Sequence, residues 1–320
     1  MTHRFGILRR FRFNLPQRIA AGLLALFLLQ GLWLAAHGAA QTSAFARLPF
    51  LAVGCLLGGA LWWVARRLYG NLGGYAALAL YCFSPAALGA CVRSDAELLA
   101  ALGVYGGVYT AIGVAHAMQG PRARWRPRIV LLMAAFALAA TAQMAALPVV
   151  ALLGLVLMLW VAEGRRRQVA PVLLVAVAGA LVAAWALCGF SPAAFGALFH
   201  PAAGLPRISL DPARQFFSSP SNSGITLAAA AALAFYLFVR RSRYFGNTAP
   251  LLCALALGAF AMTGASASSG LWALPFLLTF VGGVFADACE GPRGRLALGA
   301  AGSIVLLQAV VCVLSLPGLL

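Results

Sequence analysis

Residues 66–118 read RRLYGNLGGYAALALYCFSPAALGACVRSDAELLAALGVYGGVYTAIGVAHAM. An arginine pair opens the stretch and an apolar run follows, interrupted once by Ser84-Pro85. A short polar turn, Arg93 to Glu97, then leads into a second apolar run that ends near His116. Each run has the length that about 30 Å of hydrocarbon demands, roughly 20 apolar residues, and neither shows the alternation of a barrel strand. The pair reads as two membrane-spanning helices joined by an acidic turn, and that turn holds two of the six acidic residues in the chain.

The same pattern recurs along the 320 residues, of which 63% are apolar and 9% charged. Spans are expected at about 17–36, 48–65, 72–92, 95–118, 129–145, 147–162, 169–188, 224–239, 249–264, 267–286 and 296–317. The expected fold is therefore all-α: a polytopic helical membrane protein of about 11 transmembrane helices in a single domain over residues 1–320. Residues 1–18 form a basic N-terminal segment, and residues 189–223 are the longest connection. Within that connection, SPAAFGALFH reads as a short interfacial helix. The first span resembles a signal peptide but starts from a retained Met1, so it is expected to be an uncleaved anchor.

The net charge of +17 comes from 23 basic residues, all arginine. Nineteen of them fall in six clusters: 4–18, 66–67, 122–128, 165–167, 240–243 and 293–295. Eleven spans put all six clusters on one side, as the positive-inside rule requires of cytoplasmic loops. That distribution excludes a nucleic-acid partner, which would need the charge gathered on one folded face. It places the chain in a bacterial cytoplasmic membrane, with the N-terminus cytoplasmic, the C-terminus external, and membrane lipids as direct partners. Seven cysteines lie in or beside apolar runs without metal-ligand spacing and read as small buried residues. Gly54/Gly58 and Gly103/Gly107, at GxxxG spacing, read as internal helix packing.

The arginine pair, the span broken by Ser-Pro, the R-x-D turn and the small, aromatic-rich return span together resemble the core of the GT-C glycosyltransferases. These are membrane enzymes related to protein O-mannosyltransferases and lipid A aminoarabinose transferases. A weaker likeness lies in SSGLWALPFLLTFVGGVFADACEG, residues 268–291. The resemblance implies transfer of a sugar from a polyprenyl-phosphate donor at the outer face, and it gives Asp95 the second-loop acidic position. The chain departs from the family in its first external loop, which is about eleven residues long and carries no acidic residue.

Such chemistry needs a carboxylate at the acceptor and cationic or divalent-metal help at the departing phosphate. Asp95 and Glu97 are the candidate catalytic carboxylates, although two positions apart on a helix they point about 200° away from each other. Either Ser94 or Asp95 also suits a helix cap. Arg93, Arg207 and Arg214 are the candidate phosphate-binding residues, and the same arginines suit attraction to lipid headgroups. His37 and His200 with Asp211 are metal-capable, but no spacing motif links them. Three readings stand: a GT-C transferase, a catalytically inactive GT-C-like scaffold or accessory subunit with protein partners, and a transporter. The last is disfavoured by the scarcity of ionisable residues within the spans.

Overall fold

The computed structural model of the protein describes residues 14–37, 44–199, 209–238, 244–263 and 270–319. Among the described residues thirteen α-helices follow one another: α1 (Leu15–His37), α2 (Ala44–Cys82), α3 (Pro85–Val92), α4 (Glu97–Ala117), α5 (Arg122–Ala142), α6 (Ala146–Val161) and α7 (Val169–Leu187). Then come α8 (Pro192–Ala197), α9 (Asp211–Ser218), α10 (Ser223–Phe238), α11 (Tyr244–Met262), α12 (Gly270–Cys289) and α13 (Gly294–Ser315). There is no strand among the described residues. This is an all-α, polytopic membrane protein.

Eight helices are long and apolar enough to cross a bilayer, and α6 and most of α11 are shorter apolar helices. The sixteen residues of α6 rise about 24 Å, somewhat less than a hydrocarbon core of about 30 Å. The eleventh expected span is hidden in α2, whose 39 residues contain a non-helical glycine, Gly70, at φ 81° and ψ −173°. The two legs on either side of Gly70 fold back on each other. Tyr81 donates a 2.8 Å hydrogen bond to the Gly54 carbonyl, 27 residues away, and Gly74 lies against the Arg66 backbone. In a straight helix residues 54 and 81 would stand about 40 Å apart. The expected spans 48–65 and 72–92 are therefore a helical hairpin, joined more tightly than the loop read from the sequence. At the bend Arg66 and Arg67 stack over Trp62 and Trp63, with guanidinium carbons 5.1 and 5.6 Å from the ring centres.

Neighbouring contacts fix the direction of the other helices. Gly103 meets Ala139 and Ala135, and Arg128 donates to the Gly113 carbonyl at 2.7 Å, so α4 and α5 are antiparallel. Glu97 meets Trp272 and Tyr105 meets Thr279, so α4 and α12 run parallel. Gly282 abuts the Gly73 carbonyl, where a Cβ on residue 282 would come within 2.5 Å of that oxygen. The backbones of α12 and the second α2 leg touch there because neither carries a side chain. Both GxxxG pairs pack internally, Gly54 and Gly58 on Phe27, Leu24 and Tyr81, Gly103 and Gly107 on α5 and α6. With the helices alternating in this way, the arginines of 66–67, 122–128, 165–167 and 293–295 collect at one end of the bundle. α12 is the central helix, with 72% of its apolar window buried, whereas α13 is the most lipid-facing at 11%.

The Ser84-Pro85 step breaks the span as expected. Ser84 caps α3 by accepting from the Ala87 N–H at 3.4 Å, which leaves the Phe83 carbonyl without its helical partner. Gln308 of α13, fully buried, fills that vacancy: its Nε2 donates to the Phe83 carbonyl at 2.8 Å and to the Ser221 carbonyl at 3.0 Å. Its Oε1 accepts from the Ile225 N–H at 3.1 Å, in the first turn of α10. One amide thus ties the helix break, the start of α10 and the outermost helix together.

Two outcomes are expected. Gly70→Ala places a Cβ in a backbone region open essentially to glycine alone and lowers stability by about 1–3 kcal/mol. Gln308→Leu removes three interhelical bonds worth roughly 0.6 kcal/mol each in a bilayer, a loss of about 2 kcal/mol. Reversible unfolding in mixed micelles measures both.

Candidate functional site

The acidic turn is built by the end of α3 and the start of α4. α3 closes with a pair of crossed bonds, Asp95 N–H to Ala90 carbonyl at 3.0 Å and Ser94 N–H to Cys91 carbonyl at 3.3 Å. This helix-ending pattern calls for a left-handed residue at position 94, normally glycine, and here Ser94 takes it at φ 55°. The chain then reverses at once. Asp95 Oδ1 accepts the Glu97 N–H at 3.0 Å and so caps α4 one residue ahead of its first regular turn. The carboxylate also faces the positive end of the α4 dipole.

Glu97 turns the other way, as helical spacing requires. Its side chain is buried, and Oε2 accepts the indole N–H of Trp272 at 2.5 Å. Trp272 is itself fully buried, at the start of α12, and stacks on Phe260 of α11 with ring centres 5.6 Å apart. A carboxylate this enclosed near a membrane is costly unless a donor meets it, and the indole N–H is such a donor. The contact joins α4, α11 and α12 at the arginine-poor end of the bundle. Deeper along the same seam Tyr105 and Thr279 share a 2.9 Å hydrogen bond, with Tyr109 and Phe276 stacked beside them.

Of the candidate phosphate-binding residues, Arg93 opens this turn and Arg214 lies on α9. Arg93 is exposed and folds back along α3, its Nη1 lying 2.9 Å from where a Gly89 Cβ would sit. It makes no ion pair with Asp95 among the described residues. Arg214 is exposed on α9, which packs on α10 and α11 and is pinned by the Ser209 N–H donating to the Met262 carbonyl at 2.8 Å. Arg207 and His200 lie outside the described residues. Asp211 accepts the Ser209 hydroxyl at 2.6 Å at the head of α9, and His37 stacks on Trp33. Among the described residues no three His, Cys, Asp or Glu side chains come close enough to hold a metal ion.

Three polar residues that hydropathy reading passed over prove to be structural partners. Arg47, read as external, is 1% exposed and donates to the Ala35 carbonyl near the end of α1 at 3.1 Å. Asp287 is buried at the far end of α12, where it accepts from Asn247 Nδ2 at 2.7 Å. Beside that pair the Tyr69 hydroxyl donates to the Gly246 carbonyl at 2.5 Å. No sequence signal distinguishes these residues from the glutamines and tyrosines scattered through other spans. Asp287 and Tyr69 find their partners on α11, 40 and 177 residues away, and Arg47 finds its partner on the neighbouring α1.

No family model, curated protein or solved structure matches the chain.

Asp95→Asn is expected to leave stability nearly unchanged, because asparagine caps as well as aspartate, whereas Asp95→Ala costs about 1 kcal/mol. Trp272→Phe strips the indole donor from a buried carboxylate and lowers stability by about 1.5–3 kcal/mol. Thermal melting of the three variants in one detergent ranks them, and a Trp272→Phe protein as stable as the parent would contradict the assignment.

Proposed function

We propose that the chain is a noncatalytic protein on a GT-C-like membrane scaffold, acting as an accessory subunit or lipid-contacting partner in the bacterial cytoplasmic membrane. The observation that carries this reading is the occupation of the acidic turn. Glu97 is sealed against Trp272 and Asp95 caps α4, so both carboxylates that a transferase would use serve the fold. The short first external loop without an acidic residue agrees with it. So does Arg93, which opens the turn but lies along α3 against Gly89. The arginine clusters support an orientation with a cytoplasmic N-terminus and an external C-terminus.

One observation favours the transferase itself. Asp95 is only half-buried and uses one oxygen for its cap, so Oδ2 remains available to orient or deprotonate an acceptor hydroxyl. In that reading the donor is a polyprenyl-phosphate sugar, and Arg93, Arg207 and Arg214 meet its phosphate with or without a divalent metal.

The full chain, purified in native lipid and supplied with polyprenyl-phosphate sugars and membrane-lipid acceptors, is expected to transfer no sugar. Transfer that persists in the parent and disappears in Asp95→Asn, with melting temperature unchanged, would overturn the noncatalytic reading. Because asparagine preserves the cap, that variant separates chemistry from folding.

A further inference from the structure

At the arginine-rich end of the bundle an apolar groove of about 220 Å³ opens sideways toward the bilayer. Its floor is small and smooth, formed by Ala76 and Ala79 of the second α2 leg and Ala286 of α12. Its walls are Leu23 of α1 on one side and Leu298 and Gly302 of α13 on the other. A Cβ built on Gly302 meets nothing within 4 Å, so the helix leaves the cleft open at that point. α1 and α13 approach each other at the opposite end, where Cys312 Sγ lies 3.7 Å from Gln30 Oε1. The groove is therefore closed toward the far side of the membrane and open where the arginines gather.

We propose that this groove is a binding site for one acyl chain of an anionic glycerophospholipid from the arginine-side leaflet, with its phosphate held at Arg293 and Arg295. The lining from Leu298 to Val305 spans about 10 Å, most of the roughly 15 Å depth of one leaflet's hydrocarbon. A chain entering methyl-first leaves its headgroup level with the start of α13. There Arg293 and Arg295 are exposed one turn before Leu298, and Arg18 stands exposed five residues before Leu23 on the facing wall. Glu290 is the acidic residue exposed at this rim, so arginine remains in excess. Guanidinium groups bind phosphate through paired N–H donors and favour a net negative headgroup over a zwitterionic one. Size decides against a helix as occupant: a transmembrane helix about 10–12 Å across needs several times this volume. The site lies at the other end of the bundle from Asp95, and it goes beyond the scaffold reading because it holds whether or not the chain transfers sugar.

The test places the full chain in phosphatidylcholine vesicles containing phosphatidylglycerol with a diazirine on one acyl chain, followed by light and peptide mapping. Labels are expected to concentrate on the facing segments of α1 and α13 and to be displaced by unlabelled phosphatidylglycerol better than by phosphatidylcholine. Gly302→Trp fills the cleft and removes those labels while leaving labels on other lipid-facing helices. Replacing both Arg293→Gln and Arg295→Gln lowers the preference for phosphatidylglycerol by about 25-fold, roughly fivefold for each arginine. The charge variant carries the test alone should the tryptophan variant fail to fold. Even labelling over all lipid-facing helices, labelling indifferent to both variants, or a crosslink from a second copy across the groove would each overturn the proposal.

Discussion

A membrane interior offers no water to a backbone group that leaves its helix, so every break in a span must bring its own partner. The Ser84-Pro85 step is such a break, and the freed Phe83 carbonyl is met by an amide 225 residues later in the chain. That one requirement places α13. It has little buried surface of its own, and Gln308, one of its two buried residues with Cys312, bonds it to the bundle while also satisfying the first turn of α10. Gly224, whose missing side chain lets α10 close on Gln308, belongs to the same solution. The arrangement spends a single polar side chain where three separate ones would otherwise be needed.

The acidic turn obeys the same logic with charges in place of amides. A serine held in a left-handed conformation ends α3, and an aspartate begins α4 in the next residue, so the chain reverses in the shortest distance that satisfies both helix ends. Glu97 is then carried inward by helical geometry. Trp272 is the donor that makes its burial tolerable, and Phe260 holds the indole in place. The two acidic residues that stand out in the sequence are thus explained by where the helices end and what they touch.

Much of the architecture is readable from residue order alone. Apolar run length gives the spans, arginine spacing gives their alternation, and proline gives the break, because each reports a local cost that no tertiary contact can alter. The short helix α8, read within SPAAFGALFH, follows from the same local chemistry, with Ser191 as its cap. What escapes is any feature that depends on which helix lies beside which. Gln308, Arg47 and Asp287 sit in or beside runs whose average hydropathy hides them, and their partners are 225, 12 and 40 residues away. For the same reason the opposed directions of Asp95 and Glu97 are legible from helical periodicity, whereas the identity of Trp272 as the partner is not. The one-residue bend at Gly70 was hidden differently, because a loop was expected where the two helices run on to a single glycine.

That bend also constrains how the protein is made. Two spans separated by a single non-helical residue cannot partition into lipid independently, since neither has slack to wait for the other. The length of chain between them suits insertion only as a paired hairpin, the arrangement that the Tyr81 to Gly54 bond closes in the folded protein. The arginine pair stacked on tryptophans gives the hairpin a charged tip that is costly to carry across the hydrocarbon. The orientation of the third and second spans is then a single decision, and every later helix inherits it.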